Sequence, residues 1–186
     1  KFNETAGIRQ AGLQPAAAAN LALQGAAVAV GMAYMNQIND KLDGLQSGIE
    51  AIQRDMERER DAELKAAYDS LARLTLKYEE YGESAEKRQV GFQIIEDATR
   101  EATKAWNYQL DCIKDFTAEV QGTKRLSAEK IVEEAKRLSS MEARAAVAFQ
   151  LVVMAQQVGM RLEGDYTEKR IETDSQITER MAEAFS

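Results

Sequence analysis

The sequence predicts an all-α protein, and three observations carry that prediction. Ala, Glu, Gln, Arg, Lys, Leu and Met dominate the chain, and these are the residues that cost least in a helix. The 186 residues include a single proline and 11 glycines, far fewer turn residues than a β-rich fold of this length consumes. Apolar positions recur at steps of three and four, with no competing run of strict alternation. With 45% apolar and 30% charged residues, the chain can bury a core and still present a solvated surface, so global disorder is excluded.

The first element is the most unusual. Residues 10–39 carry no charged side chain, between Arg9 and Asp40. Pro15 suits the first turn of a helix, where its missing N–H breaks no bond. The spacing predicts an apolar helix over 16–38, in which Val28, Val30, Met32 and Met35 are the strongest apolar positions. Two readings stand side by side. The segment is either a packed helix face, covered by Val147, Leu151, Val152 and Met154 of the second uncharged stretch, or one that enters a membrane. Its length just reaches the spanning requirement of about 20 residues. However, Asn20 and Gln24 fall in its middle, and Ala and Gly add little hydrophobic drive, which favours packing.

The helix is expected to continue into a coiled coil over 38–81. Ile38, Leu42, Leu45, Ile49, Ile52 and Met56 step by four, three, four, three and four, which is an a/d seam. After the charged patch 57–61 the apolar pattern resumes at Leu64, one residue out of phase, as a stutter would place it. A continuous helix over 16–81 would be about 100 Å long. Gly44 and Gly48, spaced as G-x-x-x-G, suggest a bend or a close helix contact.

Gly82 is a natural helix terminator and Ser84 a natural N-cap, so the chain is expected to turn there. A second helix follows over 85–121, anchored by Trp106, Leu110 and Phe116, and stops near Gly122. Ser127 restarts a third over 127–163, which Gly164 ends. A weaker helix over 166–184 closes the chain. Short connections make neighbours antiparallel. The expected architecture is one elongated domain over 1–186, an extended antiparallel helical bundle with a long coiled-coil-like hairpin.

The chemistry-bearing residues point away from catalysis. There is no histidine, so Cys112 lacks the usual base of a nucleophilic thiol, and di-iron and zinc ligand sets are incomplete. Cys112 lies among apolar neighbours and reads as an inert core thiol. Carboxylates are numerous but sit in mixed, solvated patterns, with no pair set apart for acid–base work. No cofactor or metal is expected, and the chain is expected not to be an enzyme. A net charge of −7 without a basic stripe speaks against nucleic acid as a partner. No signal-peptide pattern is visible, which leaves a cytoplasmic or a secreted location open.

From Ala16 to Met56 an Ala/Gly-rich segment leads through Met35-Asn36-Gln37-Ile38-Asn39 into Leu42, Leu45, Gly48 and Ile49. This resembles a pattern in poorly characterised bacterial helical proteins, in which an apolar stretch precedes a coiled coil. The resemblance implies no known activity. In outline only, an apolar head on a long-helix stalk is similar to the α-helical pore-forming toxins. The sequence therefore leads to two functional expectations. One is a non-enzymatic structural or interaction protein, a homo-oligomer or a binder of partner helices, with the seam from Ile38 to Met56 as its contact. The other is a membrane-active protein that inserts segment 16–35.

Overall fold

A computed structural model describes residues 37–50, 58–122 and 127–184, and residues 37–186 form one compact unit. The described helices are α1 (37–50), α2 (Arg58–Leu76), α3 (Tyr78–Gly82), α4 (Ala85–Gly122), α5 (Ala128–Glu163) and α6 (Glu168–Glu183). No strand occurs among the described residues, and the fold is all-α.

Local signals set the helix ends. The Ser84 hydroxyl accepts the Lys87 N–H at 3.2 Å and opens α4. The Ser127 hydroxyl accepts the Lys130 N–H at 3.3 Å and opens α5. Each satisfies an N–H that the first turn of a helix leaves without an intrahelical acceptor. α5 ends at Gly164, whose φ of +69° only glycine adopts without cost. There the Asp165 N–H reaches back to the Met160 carbonyl at 3.2 Å. Between α2 and α3, Lys77 leaves helical geometry with φ −106° and ψ 22°.

Four of these helices form an antiparallel ring. Tyr68 of α2 lies within 3.5 Å of Gln46 of α1, and the groove between them is lined from Asn39 to Glu50 on α1 and from Lys65 to Leu76 on α2. α2 then runs against α4, with Leu74 beside Gly91 and a shallow groove lined by Glu63, Ser70, Ile94 and Glu101. α4 runs against α5, where Trp106 meets Phe149 and Glu119 meets Arg137. α5 closes the ring on α1, with Lys41 within 3.5 Å of Gln157 and Gly48 against Val147. α6 folds back along the last turns of α5, where Arg170 pairs with Glu163 and the Asp174 carbonyl accepts from Gln156.

This arrangement corrects the expected continuous coiled coil over 38–81. A straight helix would separate residues 46 and 68 by about 33 Å, whereas these two side chains touch. The one-residue phase shift between Met56 and Leu64 therefore marks a change of helix and direction, not a stutter within one helix. Residues 16–36, with Val28, Val30, Met32 and Met35, and the seam positions Ile52 and Met56 lie outside the described residues.

The core of the ring is a stripe of small and branched apolar residues on α5. Ala145, Ala148, Leu151, Val152, Ala155 and Val158 are at most 1% exposed. Leu64, Leu71 and Leu74 of α2 and Ala98, Ala102 and Trp106 of α4 complete it. Small side chains allow close approach: a Cβ at Gly91 would fall 2.6 Å from Leu162 Cδ2, and one at Gly48 would fall 3.0 Å from Val147 Cγ2. Gly44, the other half of the G-x-x-x-G spacing, has nothing within 4 Å of its Cβ position. Only Gly48 makes the close contact.

Candidate functional site: a buried ion pair and a two-helix arm

α4, with 38 residues, is twice as long as α2, with 19, and this difference creates the two features that bear on function. Near its N-terminus α2 reaches the level of Arg144 on α5. Beyond that level, residues 112–122 of α4 and 128–143 of α5 continue as an antiparallel pair. Among the described residues no third helix covers this arm.

At the junction, Asp61 and Arg144 form a two-pronged ion pair between α2 and α5. Arg144 Nε donates to Asp61 Oδ1 at 3.1 Å and Nη2 donates to Oδ2 at 3.3 Å. Both side chains are 7% exposed, whereas both partners of every other described ion pair are more than a tenth exposed. Arg144 Nη1 also donates to the Ser140 hydroxyl one turn back, which occupies a further donor of the guanidinium fork. Such pairs hold geometry more than they add stability, because desolvation offsets most of the attraction, yet removing one partner strands a buried charge.

The sequence carried a signal for this pair that periodicity alone does not interpret. Asp61 stands in phase with the inward positions Leu64, Tyr68, Leu71 and Thr75. Arg144 opens the strict series Ala148, Leu151, Ala155, Val158 and Leu162. Each is a charge on an otherwise apolar face, and the two charges are opposite. Reading residues 57–61 only as a charged interruption of the apolar repeat passed over Asp61.

The arm holds itself together at a few points. Phe116 is buried with the Arg137 guanidinium 5.4 Å from its ring centre, and Arg137 also pairs with Glu119 at 3.7 Å. At the arm's base Trp106 and Phe149 pack at 5.5 Å with a 45° tilt, a favourable aromatic arrangement. Elsewhere the apolar positions are incompletely covered. Cys112, Ile113, Val120, Leu138 and Met141 are half-buried, and Ile131 and Val132 are 53% and 56% exposed. Cys112 thus occupies the arm and not the interior of the ring.

At the opposite end of the ring, α3 is pinned to α5. Tyr78 Oη donates to the Arg161 carbonyl at 2.9 Å, and the Arg161 guanidinium lies 4.8 Å from the Tyr78 ring centre. Burial raises the Tyr78 pKa, partly opposed by the Arg161 charge. Tyr81 packs near Gly91. Both tyrosines thus pack beside the turn that leads from α2 to α4.

A groove of about 620 Å³ separates the outer edges of α1 and α2. Its polar rim includes Asp43, Glu50 and Asp69, with Lys65 joined to Asp69 at 2.6 Å. Burial, then the charges of Asp43, Asp69 and Glu50, raise the Tyr68 pKa. Among the described residues no group of three or more His, Cys, Asp or Glu side chains is placed to hold a metal ion.

Of the expected seam, Ile38, Leu42, Leu45 and Ile49 are 1–3% exposed and lie inside the ring. The same chain covers them, and α1 touches α2 at Gln46 and Tyr68 and α5 at Gly48 and Val147. The structure thus defines the class as an all-α antiparallel bundle with a two-helix arm. No protein-family model, curated protein or solved structure matches the chain.

Proposed function

We propose that the chain is a non-enzymatic helical interaction protein that self-associates, and that its contact is the arm formed by residues 112–122 and 128–143. The observation that carries this reading is the incomplete cover of the arm's apolar positions, with Ile131 and Val132 more than half exposed. A two-helix pair has one interface and cannot enclose an apolar face on both sides, whereas a second pair laid against it makes a four-helix bundle. The seam at Ile38, Leu42, Leu45 and Ile49 is occupied within the chain, so association has to use another surface.

Light scattering across a dilution series tests the proposal. The expected result is a dimer or larger species that dissociates on dilution. Ile131→Glu combined with Val132→Glu should yield a monomer with an unchanged melting temperature. A monomer at high micromolar concentration refutes the reading.

The membrane-active alternative has one observation in its favour. α5 is long and apolar enough to cross a bilayer, with a mean hydropathy of 1.3 over its most apolar 18 residues. Yet 56% of that window is buried inside the protein, as in the core helix of a soluble bundle. Liposome flotation with dye release separates the readings. Binding with release would favour the alternative, which rests on segment 16–35.

A further inference from the structure

We propose that α1 and α2 form a hinged strap over α4 and α5, latched by the Asp61–Arg144 pair at the end of α2 distant from the hinge, and that they open together while α4 and α5 stay folded. The hinge lies at Lys77. On one side of it α3 is held to α5 by the Tyr78 hydroxyl on the Arg161 carbonyl and by the guanidinium on the Tyr78 ring. On the other side α2 ends just before Lys77, whose φ of −106° and ψ of 22° bend the backbone out of helical geometry although its N–H still donates to the Arg73 carbonyl. From this point to Asp61 the helix is a lever about 24 Å long. A swing of roughly 20° would carry its far end about 8 Å, well beyond hydrogen-bond reach.

The latch sits where it controls that swing most effectively. Asp61 lies close to the N-terminus of α2, at the end distant from the hinge, and Arg144 lies on α5 where the arm begins. Between hinge and latch, α2 meets the rest of the ring through apolar residues such as Leu64, Leu71 and Leu74. Apolar contact is non-directional, and its strength follows the area covered. The ion pair is directional, and breaking it strands a charge in the interior. Closure is therefore all-or-none at the latch. α1 moves with α2 because Tyr68 and Gln46 join them and because both line one groove.

The surface under the strap belongs to both remaining helices. Opening bares the part of α4 around Gly91, which Leu74 of α2 approaches, and the part of α5 around Val147, which Gly48 of α1 approaches. α4 remains against α5 through the most extensive helix pairing among the described residues, so opening leaves these two helices paired. Sub-global openings of this kind follow contiguous supersecondary units, and an antiparallel helical hairpin is such a unit. The strap is independent of the arm's proposed self-association, which uses the other end of α4 and α5.

Native-state hydrogen exchange of the whole chain in low denaturant tests the strap. Peptides from 37–50 and 58–76 should exchange together, at least about tenfold faster than the core peptides of 91–106 and 145–162. Asp61→Asn should speed the α1 and α2 peptides by at least about tenfold more and leave α4 and α5 within about twofold. Replacing both partners, Asp61→Leu with Arg144→Met, should return α1 and α2 to wild-type protection or better, because no charge is then stranded. Exchange of α1 and α2 in step with α4 and α5 in the wild-type chain overturns the strap, whatever the variants do. An Asp61→Asn effect that is absent, or equal across all four helices, overturns the latch. Should Asp61→Asn fail to fold, the wild-type profile and the double variant still decide.

Discussion

Gly44 and Gly48 stand one helical turn apart on α1, and replacing each with alanine should have opposite consequences. The common effect is helix propensity, which favours alanine by about 0.8–1 kcal/mol at an interior position. Gly44 has nothing within 4 Å of its Cβ position and its residue is exposed, so Gly44→Ala should realise that gain in full. At Gly48 the new methyl would meet Val147 Cγ2 at 3.0 Å. Val147 is 5% exposed, and a valine in a helix has one strongly preferred rotamer, so the methyl cannot swing away. Relief requires α1 and α5 to separate, and overpacking of that kind costs about 1–3 kcal/mol. Gly48→Ala should thus fall about 1–3 kcal/mol below Gly44→Ala, with the shared propensity gain cancelling from the comparison. For a chain of this size each kcal/mol moves the melting temperature by about 2–4 °C. Thermal unfolding followed by circular dichroism measures both variants directly. Equal stabilisation by the two substitutions would show that Gly48 does not face Val147, and the docking of α1 on α5 would have to be abandoned.

Three further outcomes follow from the packing. Leu45→Asp places a carboxylate at a position 2% exposed and should cost several kcal/mol, whereas Glu63→Lys on the surface should change stability by less than about 0.5 kcal/mol. Similar denaturation midpoints for the two would contradict the inward phase of α1. Trp106→Ala, at 4% exposure against Phe149, should lose about 3–5 kcal/mol in urea unfolding, and a loss under 1 kcal/mol would place the indole outside the core. The pH dependence has a definite sign. The Glu86 and Glu129 pKa values are lowered by hydrogen bonds from their own backbone amides and then from the Ser84 and Ser127 hydroxyls, and that of Asp165 by the Thr167 amide and hydroxyl. A carboxyl depressed in the folded state stabilises it above the unfolded pKa, and that contribution fades as pH falls through the folded value. The melting temperature should therefore decline on acidification below the ordinary carboxylate range, and Ser127→Ala should reduce the share due to Glu129. An unchanged titration in that variant would remove the cap as the cause.

The sequence by itself determined the class and most helix ends. α4, α5 and α6 fall within two residues of their expected bounds, because Ser84, Ser127 and Gly164 act on the backbone within one turn. Their hydrogen bonds are local, and the residue types that make them are few. The inward phase of Ile38, Leu42, Leu45 and Ile49 was likewise legible, since burial on one face is what a three-four repeat records. What covers that face was not. A seam of this kind is satisfied equally by a second copy or by another part of the same chain, and here the same chain supplies the cover. The path after α1 was undetermined for a related reason. A phase shift in an apolar repeat is produced both by a stutter in one long helix and by the end of one helix and the start of another, and only the proximity of Gln46 to Tyr68 distinguishes them. Tertiary structure also decided the fate of equivalent residues: Gly44 and Gly48 are the same residue at the same spacing, yet one meets Val147 and the other meets solvent. Asp61 and Arg144 are 83 positions apart, and their opposite charges become a pair only when α2 and α5 lie side by side. Periodicity records which face of a helix is turned inward; which atoms it meets there is set by the packing of the whole chain.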